Sequence, residues 1–197
     1  MNRISSLFVA VLMCLVCVSL LHAQGEFITF DAPGAGTGPG QGTLPQQITS
    51  AGTIVGSYVD GNYVTHGFVR SAQGTFATID APGALRTQAL GMTQARVVGF
   101  YRDTNRVRHG YVLGPDGKFV IVDAPGAGAS SGQGTVATAI DAAGTVSGMY
   151  IDATYVSHGF VRAANGTTAS FDPPGSAFRD SSHRGHQCGR HRGGTIF

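Results

Sequence analysis

Tryptophan is absent from the 197 residues, and charged side chains make up only 12% of them. A chain this short of the residues that solvate helix surfaces, and holding 30 glycines, about twice the usual share of roughly 7%, is not one of long helices. The glycines keep no every-third-residue period, which excludes collagen. A 42% hydrophobic share with mean hydropathy of +0.09 excludes disorder of the whole chain. Cysteine is nearly missing: Cys14 and Cys17 fall in an N-terminal apolar run, and Cys188 stands alone after it. Once that run is removed no intrachain disulfide can form, so stability must come from packing and backbone pairing.

Met1 to Ala23 carries one early cation, Arg3, then a nearly unbroken apolar run from Leu7 to Leu21, and ends Leu-His-Ala before Gln24. This is the pattern of a cleaved secretory signal. The run is about 15 residues where a membrane-spanning helix needs about 20. We therefore expect a signal peptide over 1–23, a secreted or periplasmic product, and no membrane span after cleavage. Cys14 and Cys17 follow Met13 and Val16 rather than a small residue, which does not fit a lipid attachment site.

The formal charge of +2 is unevenly spread. Arg3 lies in the signal, and residues 176–197 hold Arg179, Arg184, Arg190 and Arg192 against Asp180. The remaining body, 24–175, has 8 basic and 10 acidic residues. A net of −2 gives no electrostatic footprint for nucleic acid.

Repetition organises that body. Asp-Ala-Pro-Gly begins at Asp31, Asp80 and Asp123, and Asp-Pro-Pro-Gly at Asp172, with spacings of 49, 43 and 49. His-Gly-aromatic begins at His66, His109 and His158, spaced 43 and 49. Gly-x-Tyr-x-Asp begins at Gly56, Gly99 and Gly148 in the same register and contains Tyr58, Tyr101 and Tyr150. Three independent markers in one register define a repeat of 43 to 49 residues.

Each unit reads as four short β segments rich in Val, Ile, Thr and aromatics and bounded by Gly, Asp, Asn or Pro. Examples are 135–140, 53–58, 65–70 and 75–80. Gln73-Gly74, Asp116-Gly117 and Asn165-Gly166 predict two-residue hairpins with both central residues at positive φ. Ala-Pro-Gly then ends the fourth strand, because Pro cannot donate to a ladder. The expected fold is all-β: tandem four-stranded antiparallel meanders in an open or incomplete β-propeller-like array. Units fall at about 44–83, 87–126 and 133–175, preceded by a lone strand over 26–31. The middle unit is expected to be shortened near Gly91 to Val98.

The order Phe-x-x-Ile-Asp-Ala-Pro-Gly-Ala, Ile-x-x-Ala-Gly-x-Val-x-Gly-x-Tyr-x-Asp, His-Gly-Phe resembles the HAF-type extracellular repeats of secreted bacterial proteins, with His-Gly-Phe where the family has His-Ala-Phe. The resemblance covers 25–175. It implies export and a propeller-like β array, and it brings no catalytic residues.

After Asp172-Pro-Pro-Gly the pattern stops, although another unit is due. Back-translating 186–197 one base later permits Ile-Asn-Ala-Ala-Gly-Thr-Val-Val-Gly-Leu-Tyr, in register with Ile48 to Tyr58 and Ile140 to Tyr150. We read 176–197 as an aberrant tail, disordered or frameshifted between Gly175 and His186. His183, His186, Cys188 and His191 have a spacing that suits zinc, but the same frameshift accounts for them, and no metal or other cofactor is assigned.

The recurring polar residues are read as structural. His66, His109 and His158 are expected to bond a neighbouring strand or turn. Asp31, Asp80, Asp123 and Asp172 are expected to cap turns, as are Asp60, Asp103 and Asp152, with Ca²⁺ ligation the competing reading. Gly34 to Gly40 and Gly126 to Gly128 lack the Lys-Ser/Thr of a phosphate loop and read as flexible connectors. Asn165-Gly-Thr167 is a glycosylation sequon in form and a hairpin turn in place. Arg102, Arg106 and Arg108 read as a solvated face, with contact to an anionic ligand as the alternative. The resulting expectation is a secreted non-catalytic binding or structural module whose partner is a glycan, a cell-envelope component or a protein. The competing readings are a fragment of an exported propeller hydrolase or lyase, which should carry an asymmetric acid, base or metal set, and a truncated remnant without function.

Overall fold

The computed structural model describes residues 27–172. The expected signal, the tail after 176 and its His183, His186, Cys188 and His191 lie outside the described residues. The chain divides into two units, Met1–Phe30 and Asp31–Phe197. Of the first, residues 27–30 are described and carry no regular element.

The described part of the second unit is all-β, without helix. Its strands are β1 (Gly42–Ile48), β2 (Ile54–Val59), β3 (Thr65–Arg70), β4 (Phe76–Ile79), β5 (Arg86–Met92), β6 (Val97–Arg102), β7 (Arg108–Leu113), β8 (Phe119–Ile121), β9 (Gly134–Ile140), β10 (Val146–Ile151), β11 (Ser157–Arg162) and β12 (Thr168–Phe171). They form three meanders in which successive strands pair antiparallel. A single parallel bridge, Arg108 to Gly134, joins the second meander to the third, so the strands make one four-stranded and one eight-stranded sheet. No barrel closes.

The repeated Gly of Gly-x-Tyr-x-Asp has a steric cause. Each first strand bulges against the second, between Pro45 and Gln47, between Ala89 and Gly91, and opposite Ser147 and Gly148. There the backbones come so close that a Cβ on Gly56, Gly99 or Gly148 would overlap the carbonyl oxygen of Leu44, Gln88 or Val136. Only Gly permits the bulge.

The cores lie between successive meanders. Val55 and Ile79 of the first pack with Ala89, Met92, Val97 and Tyr111 of the second. Val98, Val122 and Ala124 of the second pack with Ala137, Val146, Tyr150 and Phe160 of the third. Each meander thus covers its neighbour's apolar face, which is the propeller-like arrangement. Among the described strands, the faces at the two ends keep exposed apolar residues, Ile48 at one end and Phe171 at the other.

Four expectations need correction. The hairpins before each fourth strand have three-residue loops rather than two. Ser71 N–H bonds Thr75 O while Gly74 N–H bonds Ser71 O, and the same pairs recur at 114–118 and 163–167. Only Gly74, Gly117 and Gly166 take positive φ there; Gln73, Asp116 and Asn165 do not, so the turn is a type I turn closed by a left-handed Gly. The shortening of the middle unit lies elsewhere than expected. Asp80 to Thr87 is seven residues where Asp31 to Thr43 and Asp123 to Thr135 are twelve, and the hairpin between Met92 and Val97 is only one residue shorter than its counterparts. The glycine-rich connectors are not loose, because Gly36 N–H bonds Val59 O, Gly128 N–H bonds Ile151 O and the amides of Gly38 and Ser130 bond the side chains of Gln41 and Gln133. Residues 27–31 of the expected lone strand 26–31 are not a strand. A strand is held by its ladder, and the neighbours expected for this one fall after Asp172, outside the described residues.

Candidate functional site

The markers that recur in the sequence converge in space, once per meander. Cross-strand register puts Tyr58 opposite His66, Tyr101 opposite His109 and Tyr150 opposite His158. Each pair stacks, with ring centroids 5.0, 5.1 and 4.8 Å apart. Beyond the fourth strand, the Asp that opens the Pro-Gly turn reaches back to the same imidazole. His66 Nδ1 lies 2.8 Å from Asp80, His109 Nδ1 2.7 Å from Asp123 and His158 Nδ1 2.9 Å from Asp172. The other ring nitrogen faces the Asp that ends the second strand, at 3.7 Å from Asp60, 3.7 Å from Asp103 and 3.3 Å from Asp152.

Those last three carboxylates also close their hairpins. Asp60 Oδ1 accepts from Asn62 and Val64 N–H, Asp103 Oδ1 from Val107, and Asp152 Oδ1 from Thr154 and Val156. The Val64 N–H bond lowers the Asp60 pKa. At Asp152 burial pushes the pKa up, but bonds from Val156, Thr154 and His158 outweigh it and bring it to about 2. Hydrogen bonding to Asp172 raises the His158 pKa; burial opposes this, and Asp152 adds to it. Two flanking carboxylates favour the imidazolium form.

Chemically, each cluster is a pin. In every unit Nδ1 ties the third strand to the exit turn, and in the third unit Nε2 also bonds the second-strand Asp152. Among the described residues no group of three or more His, Cys, Asp or Glu has the geometry to hold a metal ion. Asp31 has the same motif position as Asp80, Asp123 and Asp172, but its carboxylate accepts from the Thr43 hydroxyl at 3.2 Å.

Sequence reading missed one component of this architecture. Thr43, Thr87 and Thr135 open the first strands, and each Oγ1 accepts the N–H of Ala32, Ala81 or Ala124 at 2.9 Å. The exit turn of one unit is thereby fastened to the first strand of the next. The recurrence was hidden because their spacings, 44 and 48, miss the 43 and 49 of the His and Gly markers, the hairpin after the middle unit's first strand being one residue shorter.

The remaining candidates are local. Asn165 Oδ1 accepts Thr167 N–H within its hairpin. Arg102 and Arg106, with Arg86 and Leu85, line a cavity of 280 Å³ in the middle meander. Sequence reading had not joined Arg86 to that set. No protein-family model, curated protein or solved structure matches the chain.

Proposed function

We propose that the chain is a secreted, non-catalytic repeat protein of the HAF-like extracellular kind, acting as a binding or structural module at or outside the cell envelope. The observation that supports this most is the equivalence of the three Tyr-His-Asp-Asp clusters, whose ring separations agree within 0.3 Å between 4.8 and 5.1 Å. An enzyme on a repeat scaffold concentrates its acid, base or nucleophile in one unit, whereas these residues serve every unit alike. Loops and strand faces then present an extended surface to a glycan, an envelope component or a protein. The reading is tested by incubating the secreted chain with envelope fractions and polysaccharides while following both retention and product release. Retention without turnover supports it; turnover of any of these polymers overturns it.

A further inference from the structure

The middle meander departs from its neighbours at one end. In the outer units the long connector folds over the hairpin joining second and third strands. There Gln41 Nε2 bonds Gly61 O, and Tyr63 and Tyr155 donate their hydroxyls to Pro39 O and Ser131 O. The middle connector is five residues shorter. At the corresponding positions four side chains are arginine: Arg86 where the others have Gly42 and Gly134, Arg102 for Val59 and Ile151, Arg106 for Tyr63 and Tyr155, and Arg108 for Thr65 and Ser157.

Their placement is electrostatically adverse. Arg86 stands directly opposite Arg102, and Arg102 directly opposite Arg108, so three cations share one face of three adjacent strands, where like charges repel. None of the four has an ion-pair partner among the described residues. The Nε of Arg102 is buried without a hydrogen-bond partner. Arg106 also holds a left-handed backbone, φ 64°, as Tyr63 and Tyr155 do at the same seat, a region that disfavours non-Gly residues. The hairpins at Gly52, Gly74 and Gly117 fill the same seat with Gly. In the outer units the Tyr at this seat bonds the connector; in the middle unit the Arg instead borders the cavity.

We propose that this cavity is an anion-binding site that takes one oxyanion group, a carboxylate, sulfate or phosphate, carried on a unit the size of a single sugar. The inference rests on the reading of the chain as a binding module and names the charge of what it binds. A planar guanidinium recognises such groups through paired N–H donors, and a ligand anion supplies the counter-charge that the described residues do not. The 280 Å³ volume is just below the range of roughly 300–1,000 Å³ for drug-sized ligands, which suits one charged ring. Guanidinium groups stay protonated, so the site offers fixed positive charge to whatever occupies it.

The test uses the full mature chain and its Arg102→Val and Arg106→Tyr variants, which install the residues of the first unit. Calorimetric titration at low ionic strength compares sodium sulfate, sodium phosphate, galacturonate and oligogalacturonate with neutral galactose and galactan. The expected result is that at least one anion binds the wild type ten times more tightly than either variant and galactose does not bind at this site. Preference for galacturonates marks a glycan carboxylate; preference for sulfate or phosphate marks a free or esterified oxyanion. Both variants should melt no lower than wild type without anion, because repulsion has been removed, and should lose the anion-induced rise. Variants that melt lower, or anion binding equal in all three chains, overturn the site. If only neutral galactan binds, the anion site fails while the binding-module reading survives.

Discussion

His158 Nε2 stands 3.3 Å from Asp152 Oδ2, whereas the equivalent approach is 3.7 Å in each of the other two units. The third cluster is therefore the one with hydrogen bonds at both ring nitrogens, and its stability has a definite pH window. His158 is raised above its ordinary 6.5, so its contribution is complete below 6.5 and disappears as pH rises through the folded value. Asp152 is lowered from 3.8 to about 2, so its contribution is complete above 3.8 and disappears as pH falls toward 2. The pin is strongest between these limits. Denaturation midpoints of wild type and His158→Gln should differ most near pH 5 and converge toward pH 9. A difference independent of pH refutes the charged pin.

Gly99→Ala should destabilise by at least about 2 kcal/mol, because overpacking against backbone has no flexible side chain to yield. The added Cβ would overlap the Gln88 carbonyl at the bulge. Gly61→Ala is the control: its Cβ would meet nothing within 4 Å, so the change should stay within about 0.5 kcal/mol. Equal effects in urea denaturation would remove the steric explanation for the repeated Gly.

The meanders were legible in the sequence because Gly56, Gly99 and Gly148, with the His and Asp markers, keep one register and strand-type residues lie between turn formers. The partnership of His66 with both Asp60 and Asp80 was not legible. It depends on pairings 6 and 14 residues apart that only the antiparallel register brings together. Arg86 was missed for a related reason. It lies 16 residues before Arg102, beyond the loop that holds Arg106, and becomes its neighbour only through β5–β6 pairing.

Thr87→Val keeps the side-chain shape but removes the acceptor of the buried Ala81 N–H. An orphaned buried donor costs about 1–3 kcal/mol, so Thr87→Val and Thr135→Val should each destabilise by that order. Thr43→Val should cost less, because Thr43 is only half-buried. Chemical denaturation of the three variants checks the ranking; an equal cost at Thr43 contradicts it.

Phe171 occupies the fourth-strand position held by Ile79 and Val122 in the earlier units, opposite Gly159 as they are opposite Gly67 and Gly110. Ile79 is 5% exposed and Val122 1%, each beneath the meander that follows it, whereas Phe171 is 55% exposed. Burying a side chain of this kind contributes about 1.5–3 kcal/mol, and in a repeat array each new interface adds its own term to the whole. A chain in which residues 124–172 are repeated in frame after Asp172 should therefore melt several degrees higher than the natural chain. Phe171→Thr should be nearly neutral in the natural chain, where the ring is exposed, and destabilising in the extended one, where it would be covered. If the extension leaves the melting temperature unchanged and Phe171→Thr acts alike in both backgrounds, Phe171 is not the docking face for a further meander, and the sequence pattern that stops after Asp172 does not mark a missing unit.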